Sequence, residues 1–405
     1  MDIAKIWQSL LSREGGGRIV YIVLDGVGGL PDLQRGGTEL QVARTPHLDQ
    51  LAREADCGLL EIVGPGITPG SGPGHLALFG YDPFHYLLGR GVLSALGIDF
   101  ELREGDVAAR ANFATVNTAG HVTDRRAGRI ATERNRALCQ KIQDQLHLDF
   151  DGHVFFQTVS EHRAVLVLRG PKLSGDLSDT DPQRTGVVPY DPEPQSQEGR
   201  HTAEIVRAFL TQTREILAEE SPANMILLRG FEQYQPYPSL TERFGLHGVC
   251  SADYPMYRGV SRLLGLDVPP PPGGLTQRFD LLRQTYGDRY DFYFLHVKHT
   301  DSRGEDADFD KKVAAIEEVD ALMPRVTQLN PDVLVVTADH STPSVMGAHS
   351  WHPVPVLLRS RFARSGSVDR FDEYACLQGS LGRRPAVHLM GLALAHAGRL
   401  QKYGA

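Results

Sequence analysis

The chain has 405 residues, 41% hydrophobic and 23% charged, with a formal net charge of −8. This is the balance of a globular protein, not of a disordered or fibrous one, and at roughly 100–200 residues per domain it predicts two domains. The acid excess argues against a general nucleic-acid binder, and no apolar run approaches the roughly 18 residues of a membrane span.

Residues 1–18 carry Asp2 and Glu14 and no apolar stretch of signal-peptide type, so a cytoplasmic placement is expected. Four scattered cysteines (Cys57, Cys139, Cys250 and Cys376) without a CxxC fit reduced thiols in such a setting.

In chain order, the first predicted strand is residues 18–24, which runs straight into Asp25-Gly26. Thr45-Pro46 reads as a helix start, with Leu48, Leu51 and Ala55 facing inward. Residues 64–74 form a Gly/Pro-rich loop around Ser71, followed by a short helical pattern at 75–79. Ser71 then lies near a helix N-terminus, where free N–H groups and the helix dipole favour an anion. A serine there can cap the helix or accept a phosphoryl group.

A crossover is expected near Gly89 to Gly97. Strands follow at 107–116, 154–158, 164–168 and 225–229, with helices near 131–147 and 202–219 and a long loop over 171–200. The run Pro269 to Gly274 is strong punctuation and suits a second crossover. The predicted organisation is a discontinuous domain over 1–91 and 275–405, with an inserted domain over 92–274.

Residues 291–297 form another apolar strand, ending at Lys298 and Asp301, with Glu305 four positions further on. A helix is predicted over 308–326, with Val313, Ile316, Val319, Leu322 and Met323 on one stripe. Residues 332–338 form a third such strand, ending in Asp339-His340, and His349 and His352 follow. Nearly continuous apolar strands alternating with helices predict an α/β fold with a largely parallel sheet. Ligands of such sheets sit at the strands' carboxyl ends, where these carboxylates fall. A charged pair closing a buried strand needs a partner, and a divalent cation such as Mn²⁺, Mg²⁺ or Zn²⁺ suits carboxylates with imidazoles. Two such ions about 4 Å apart can clamp both oxygens of an in-line phosphoryl transfer.

The order Asp25, Ser71, Asp301, Asp339-His340 and His349-x-x-x-Pro-Val-Pro resembles the alkaline phosphatase superfamily. In detail the chain resembles its archaeal-type 2,3-bisphosphoglycerate-independent phosphoglycerate mutases. The matching stretches include Leu24-Asp25-Gly26-Val27-Gly28, Pro69-Gly70-Ser71 and His75 to Pro83 with its Gly-Tyr-Asp-Pro. They continue through Gly89-Arg90-Gly91, Ala111 to Thr115, the specific Asp124-Arg125-Arg126-Ala127-Gly128-Arg129 and Ser178 to Pro182. His296-Val297-Lys298 and Ala338-Asp339-His340 complete the set, so the resemblance runs from about residue 20 to 360.

The resemblance implies an alkaline-phosphatase-like core with an inserted α+β domain that binds substrate and shields the reaction from water. It implies that Ser71 takes the phosphoryl group of 3-phosphoglycerate, and that the reoriented glycerate takes it back on its 2-hydroxyl. Asp25, Ser71, Asp339 and His340 would hold one metal ion, and Asp301, Glu305 and His349 the other. Asp124, Arg125 and Lys298 would be catalytic, with Arg90, Arg129 and Arg258 contacting phosphate or carboxylate. The implied cofactors are two divalent ions, Mn²⁺ or Mg²⁺ before Zn²⁺ or Co²⁺, with no requirement for 2,3-bisphosphoglycerate. The implied partner is a small molecule, with neither nucleic acid nor membrane, in a monomer or a homo-oligomer.

Two positions depart from the family pattern. Many members carry His where this chain has Glu305, which favours a harder metal, and many carry Asp where this chain has Gly72. His352 receives no role. The competing expectations are a metal-dependent phosphomonoesterase or another phosphomutase of the superfamily, and a non-catalytic metal-binding protein on the same fold. A nucleotide kinase is disfavoured, because no G-x-x-x-x-G-K-[ST] occurs.

Overall fold

A computed structural model describes residues 3–86, 88–287 and 289–404. The chain forms two compact units, Met1–Leu87 with Pro238–Ala405, and Leu88–Tyr237.

The first unit is built on a seven-stranded sheet. Its spatial order is Gly382–Pro385, Asp56–Glu61, Val354–Ser360, Val333–Thr337, Ile19–Leu24, Phe292–Val297 and Gly248–Ser251. Ile19–Leu24 pairs in parallel with both Val333–Thr337 and Phe292–Val297. Val354–Ser360 runs antiparallel to both of its neighbours, and the remaining pairings are parallel. Every residue of the three central strands is buried, as a sheet covered on both faces requires. In the register, Val23 lies opposite Thr337 and Leu24 opposite Val297. The three predicted strands therefore end level with one another, and Asp25, Lys298 and Asp339 leave the sheet at one edge.

The second unit carries a five-stranded antiparallel sheet. His153–Ser160, Arg163–Arg169, Val107–Val116 and Met225–Gln233 lie side by side, and Val122–Asp124 extends the end of Val107–Val116. Strand side chains alternate between faces. Val107, Ala109, Ala111 and Phe113 share a hydrophobic cluster with Leu138, Ile142, Val206 and Phe209. The last four come from the helices Thr132–Gln145 and Gly199–Ile216. Arg110 and Asn112 point to the opposite face, where Arg110 is paired in register with Arg229 and Asn112 with Arg163.

The expected second crossover at 274 differs from the division seen here, which falls at Tyr237/Pro238. Gly248–Ser251 pairs with Phe292–Val297 and so belongs to the first unit's sheet. The proline run is pinned inside that unit: Arg258 Nη1 donates to the Pro269 carbonyl at 2.6 Å, and Gly273 N donates to Asp253 at 2.8 Å. The other crossover, expected near 89–97, falls at Leu87/Leu88, just before the helix Arg90–Gly97. The helix predicted over 308–326 ends at Leu322, and Pro324 opens a separate short turn, Pro324–Thr327. Among the described residues no helix is long and apolar enough to cross a membrane.

Candidate active site

Ser71 is the first residue of the helix Ser71–Leu78 and is buried. Its Oγ lies 3.2 Å from His340 Nε2. One turn on, His75 Nδ1 donates to the Ser71 carbonyl at 2.7 Å and stands 3.3 Å from Asp339 Oδ2. The helix rides directly on the strand end: a Cβ at Gly74 would lie 2.4 Å from the Asp339 carbonyl oxygen. Glycine is therefore required there by contact between two backbones.

Asp25, Asp301, Asp339 and His340 are all fully buried. Asp25 Oδ2 accepts from the Tyr257 hydroxyl and from His296 Nε2 at 3.1 Å, with Lys298 Nζ at 3.3 Å. Asp25 Oδ1 accepts no hydrogen bond, although His340 Nε2 is 3.2 Å away. Asp339 Oδ1 accepts from Gly26 N at 3.3 Å, while its Oδ2 accepts none and lies 3.4 Å from His340 Nε2. Asp301 receives Lys298 Nζ and the Thr342 hydroxyl, the latter at 2.6 Å, and its Oδ1 is 3.5 Å from His349 Nε2. Glu305 approaches the same His349 nitrogen at 3.6 Å from a half-exposed position.

The imidazoles are oriented from behind. His340 Nδ1 is 3.0 Å from Thr342 Oγ1, whose own proton goes to Asp301, so Nδ1–H donates and Nε2 is left facing the carboxylates. His349 stacks on His340 with ring centroids 3.7 Å apart, and its Nδ1 donates to the Pro69 carbonyl at 3.1 Å.

Burial of so many carboxylates governs the protonation states. Burial opposes ionisation of Asp25, but Lys298, the hydrogen bond from His296 and the close His340 imidazole hold its carboxyl well below the usual range. Burial followed by the charge of Asp25 raises Asp301. Burial also opposes the charge on His340, yet Asp339, Asp25 and Asp301 together hold its imidazole at about 9. Lys298 is half-buried, which opposes its charge, yet Asp25 and Asp301 push its ammonium above its ordinary value. The cluster thus gathers positive charge around itself.

Two sets, Asp25–Asp339–His340 and Asp301–His340–His349, have donor atoms close enough together to hold a metal ion. The unsatisfied Asp25 Oδ1 and Asp339 Oδ2 are what a cation site leaves when drawn without its ion. An oxygen-rich set with imidazoles fits a hard-to-borderline divalent ion.

Asp124, Arg90, Arg125 and Arg129 belong to the second unit. Asp124 caps a turn by accepting from Arg126 N at 2.8 Å and Gly128 N at 2.6 Å. Arg125 grips the buried Asp181 with two bonds of 2.8 and 2.7 Å, and Arg229 stands 3.9 Å from the same carboxylate. Arg129 follows in a left-handed stretch with Ala127 and Gly128. Arg90 begins the helix Arg90–Gly97 and is exposed. Arg258, expected to contact substrate, is 3% exposed, and its guanidinium supports the Pro269 and Ala252 carbonyls. It is a loop anchor rather than an open ligand contact. His352 stacks on Trp351 and bonds to Ser350, apart from the two sets.

Sequence reasoning missed His75, Tyr257, His296 and Thr342 as parts of the site. For His296 the one available signal was a polar residue near the end of an otherwise apolar strand.

A family model described as 2,3-bisphosphoglycerate-independent phosphoglycerate mutase matches residues 52–224. The chain is 47% identical over its whole length, and over the whole of the relative, to a Thermus thermophilus protein named as a probable member of that family. It is also 47% identical, over 98% of this chain and 99% of the relative, to an Aquifex aeolicus protein of the same name. A Pyrococcus horikoshii structure superposes with TM-score 0.82 at 27% identity, covering 96% of this chain and all of that one. A cofactor-independent phosphoglycerate mutase structure from Thermoplasma acidophilum gives TM-score 0.69 at 31% identity, covering 94% of this chain and all of that one. Sequence identity across the full length and a common fold agree: the chain belongs to the 2,3-bisphosphoglycerate-independent phosphoglycerate mutase family.

Proposed function

We propose that this protein interconverts 3-phosphoglycerate and 2-phosphoglycerate through a phosphoserine at Ser71. The observation that carries this reading is the setting of the Ser71 hydroxyl. It is buried at a helix start beside His340 Nε2, the nitrogen that the unpartnered Asp25 Oδ1 and Asp339 Oδ2 flank.

Asp25, Ser71, Asp339 and His340 would hold one divalent ion, and Asp301, Glu305 and His349 a second. When bound, the ions supply positive charge that favours the serine alkoxide and offsets charge on the transferring phosphoryl oxygens. The oxygen-rich donors favour Mn²⁺ or Mg²⁺ over Zn²⁺ or Co²⁺.

The Ser71 Oγ–P bond forms as the bond from phosphorus to the glycerate 3-oxygen breaks, and the proton given up by the serine hydroxyl is balanced by one taken up at the departing 3-oxygen. The 2-hydroxyl then attacks phosphorus and gives up its proton as the P–Oγ bond breaks and Ser71 Oγ regains one. Lys298, charged between Asp25 and Asp301, is placed to attract the anionic substrate. Arg90, Arg125 and Arg129 are assigned to the carboxylate and phosphate, since a guanidinium meets both as a planar fork. Asp181 fixes Arg125 for this task, and Asp124 shapes the turn that carries Arg129. Arg258 has no part in this reading. A cytoplasmic setting and independence from 2,3-bisphosphoglycerate go with it.

The test is to supply 3-phosphoglycerate with Mn²⁺ and no 2,3-bisphosphoglycerate, and to follow both 2-phosphoglycerate and inorganic phosphate. Formation of 2-phosphoglycerate without phosphate supports the mutase. Stoichiometric phosphate release would replace it with a phosphomonoesterase.

A further inference from the structure

Tyr257 is a fully buried aromatic residue on the helix Pro255–Leu263, and a buried aromatic ring usually does no more than fill space. Its surroundings here are not those of a filler. Its ring stacks on His296 with centroids 3.5 Å apart and an interplanar angle of 24°. His75 lies 4.9 Å away, centroid to centroid, and Lys298 Nζ is 5.8 Å from the ring centre. Its hydroxyl donates to Asp25 Oδ2.

The two oxygens of Asp25 are treated very differently. Oδ2 faces the Tyr257 hydroxyl, His296 Nε2 at 3.1 Å and Lys298 Nζ at 3.3 Å. Oδ1 accepts no hydrogen bond and faces His340 Nε2, itself a member of the same candidate ligand set, at 3.2 Å. A carboxylate free to rotate would share its donors between both oxygens. Here the donors from the Tyr257 helix and from the strand Phe292–Val297 lock one side.

We propose that Tyr257 is a positioning residue that, together with His296, occupies Asp25 Oδ2 so that Oδ1 alone is offered to a divalent ion. This rests on the two-ion reading above. Donors of this kind behind a ligand set its orientation, and removing them costs about 10–100-fold in metal affinity.

The test is Mn²⁺ titration of the metal-free full chain, with unbound Mn²⁺ read by electron paramagnetic resonance. Tyr257→Phe keeps the ring and its stack but removes the donor. The wild type should take up two ions. The variant should hold one of them about tenfold more weakly, the other within about twofold, and the weakened ion should be the one that Asp339→Asn removes. Metal-free Tyr257→Phe should melt at the wild-type temperature. His296→Phe, which removes the other donor and keeps a ring, should weaken the same ion. Unchanged binding of both ions, or equal weakening of both, would overturn the positioning role and leave Tyr257 as packing. A wild type that binds no Mn²⁺ would overturn the two-ion reading, and this assignment with it.

Discussion

The two units treat the same residue type in opposite ways. In the first, His340 is buried among Asp25, Asp301 and Asp339, and its imidazole is held at about 9. In the second, His162 is buried beside Arg163, Arg110, Arg126 and Arg129, and burial with those charges pushes it down to about 3. Arg229 behaves like His162: burial and the neighbouring Arg90 lower it, against the pull of Asp181. One unit has gathered anions that call for cations, and the other has gathered cations that call for anions.

The largest expected effect breaks the chemical half of that contrast. Ser71→Ala removes the proposed nucleophile and leaves the carboxylate cluster in place. Conversion of 3-phosphoglycerate should fall by at least about a thousandfold, while Asp25, Asp339 and His340 still take up Mn²⁺. Substantial residual mutase activity would refute the phosphoserine route.

Next comes Arg125→Ala. The fully buried Asp181 side chain would lose its bidentate partner and keep only Arg229 at 3.9 Å. A loss of about 3 kcal/mol in stability is expected in a denaturant titration, because an uncompensated buried charge remains. Unchanged stability with lost activity would instead make Arg125 purely a substrate contact.

Glu305→Gln sharpens the contrast within the first unit. Glu305 is 54% exposed, whereas Asp339 is fully buried. The substitution should weaken binding of one Mn²⁺ ion by about tenfold. Asp339→Asn should cost the other ion far more, and titration of both variants decides it.

The smallest effect is a slope. His162 stays neutral in the folded chain down to about 3, whereas an unfolded histidine titrates near 6.5. The unfolded chain therefore binds more protons across that window, and stability falls as the pH drops through it. His162→Gln should flatten the dependence of the melting temperature between about pH 6.5 and 4. An unaltered slope would show that the arginines do not govern His162.

Much of this was legible in the sequence because buried parallel strands announce themselves. The runs before Asp25, before Lys298 and before Asp339 are apolar and short, and the structure sets them side by side with level ends. Other features left no such trace. Tyr257 lies in a helix whose pattern shows which face is buried but not which buried ring carries a working hydroxyl. Arg258, one position later, looked like an anion contact because guanidinium groups serve ligands and carbonyls alike. The run Pro269 to Gly274 looked like a domain hinge because proline and glycine mark a break in regular structure without saying what lies on either side.

The bare α-carbon at position 74 has one more consequence. The reach of the serine is fixed by main chain touching main chain, a mechanical stop that no side-chain rearrangement can relax. Randomising this codon and selecting for growth on the enzyme's turnover should return glycine almost without exception.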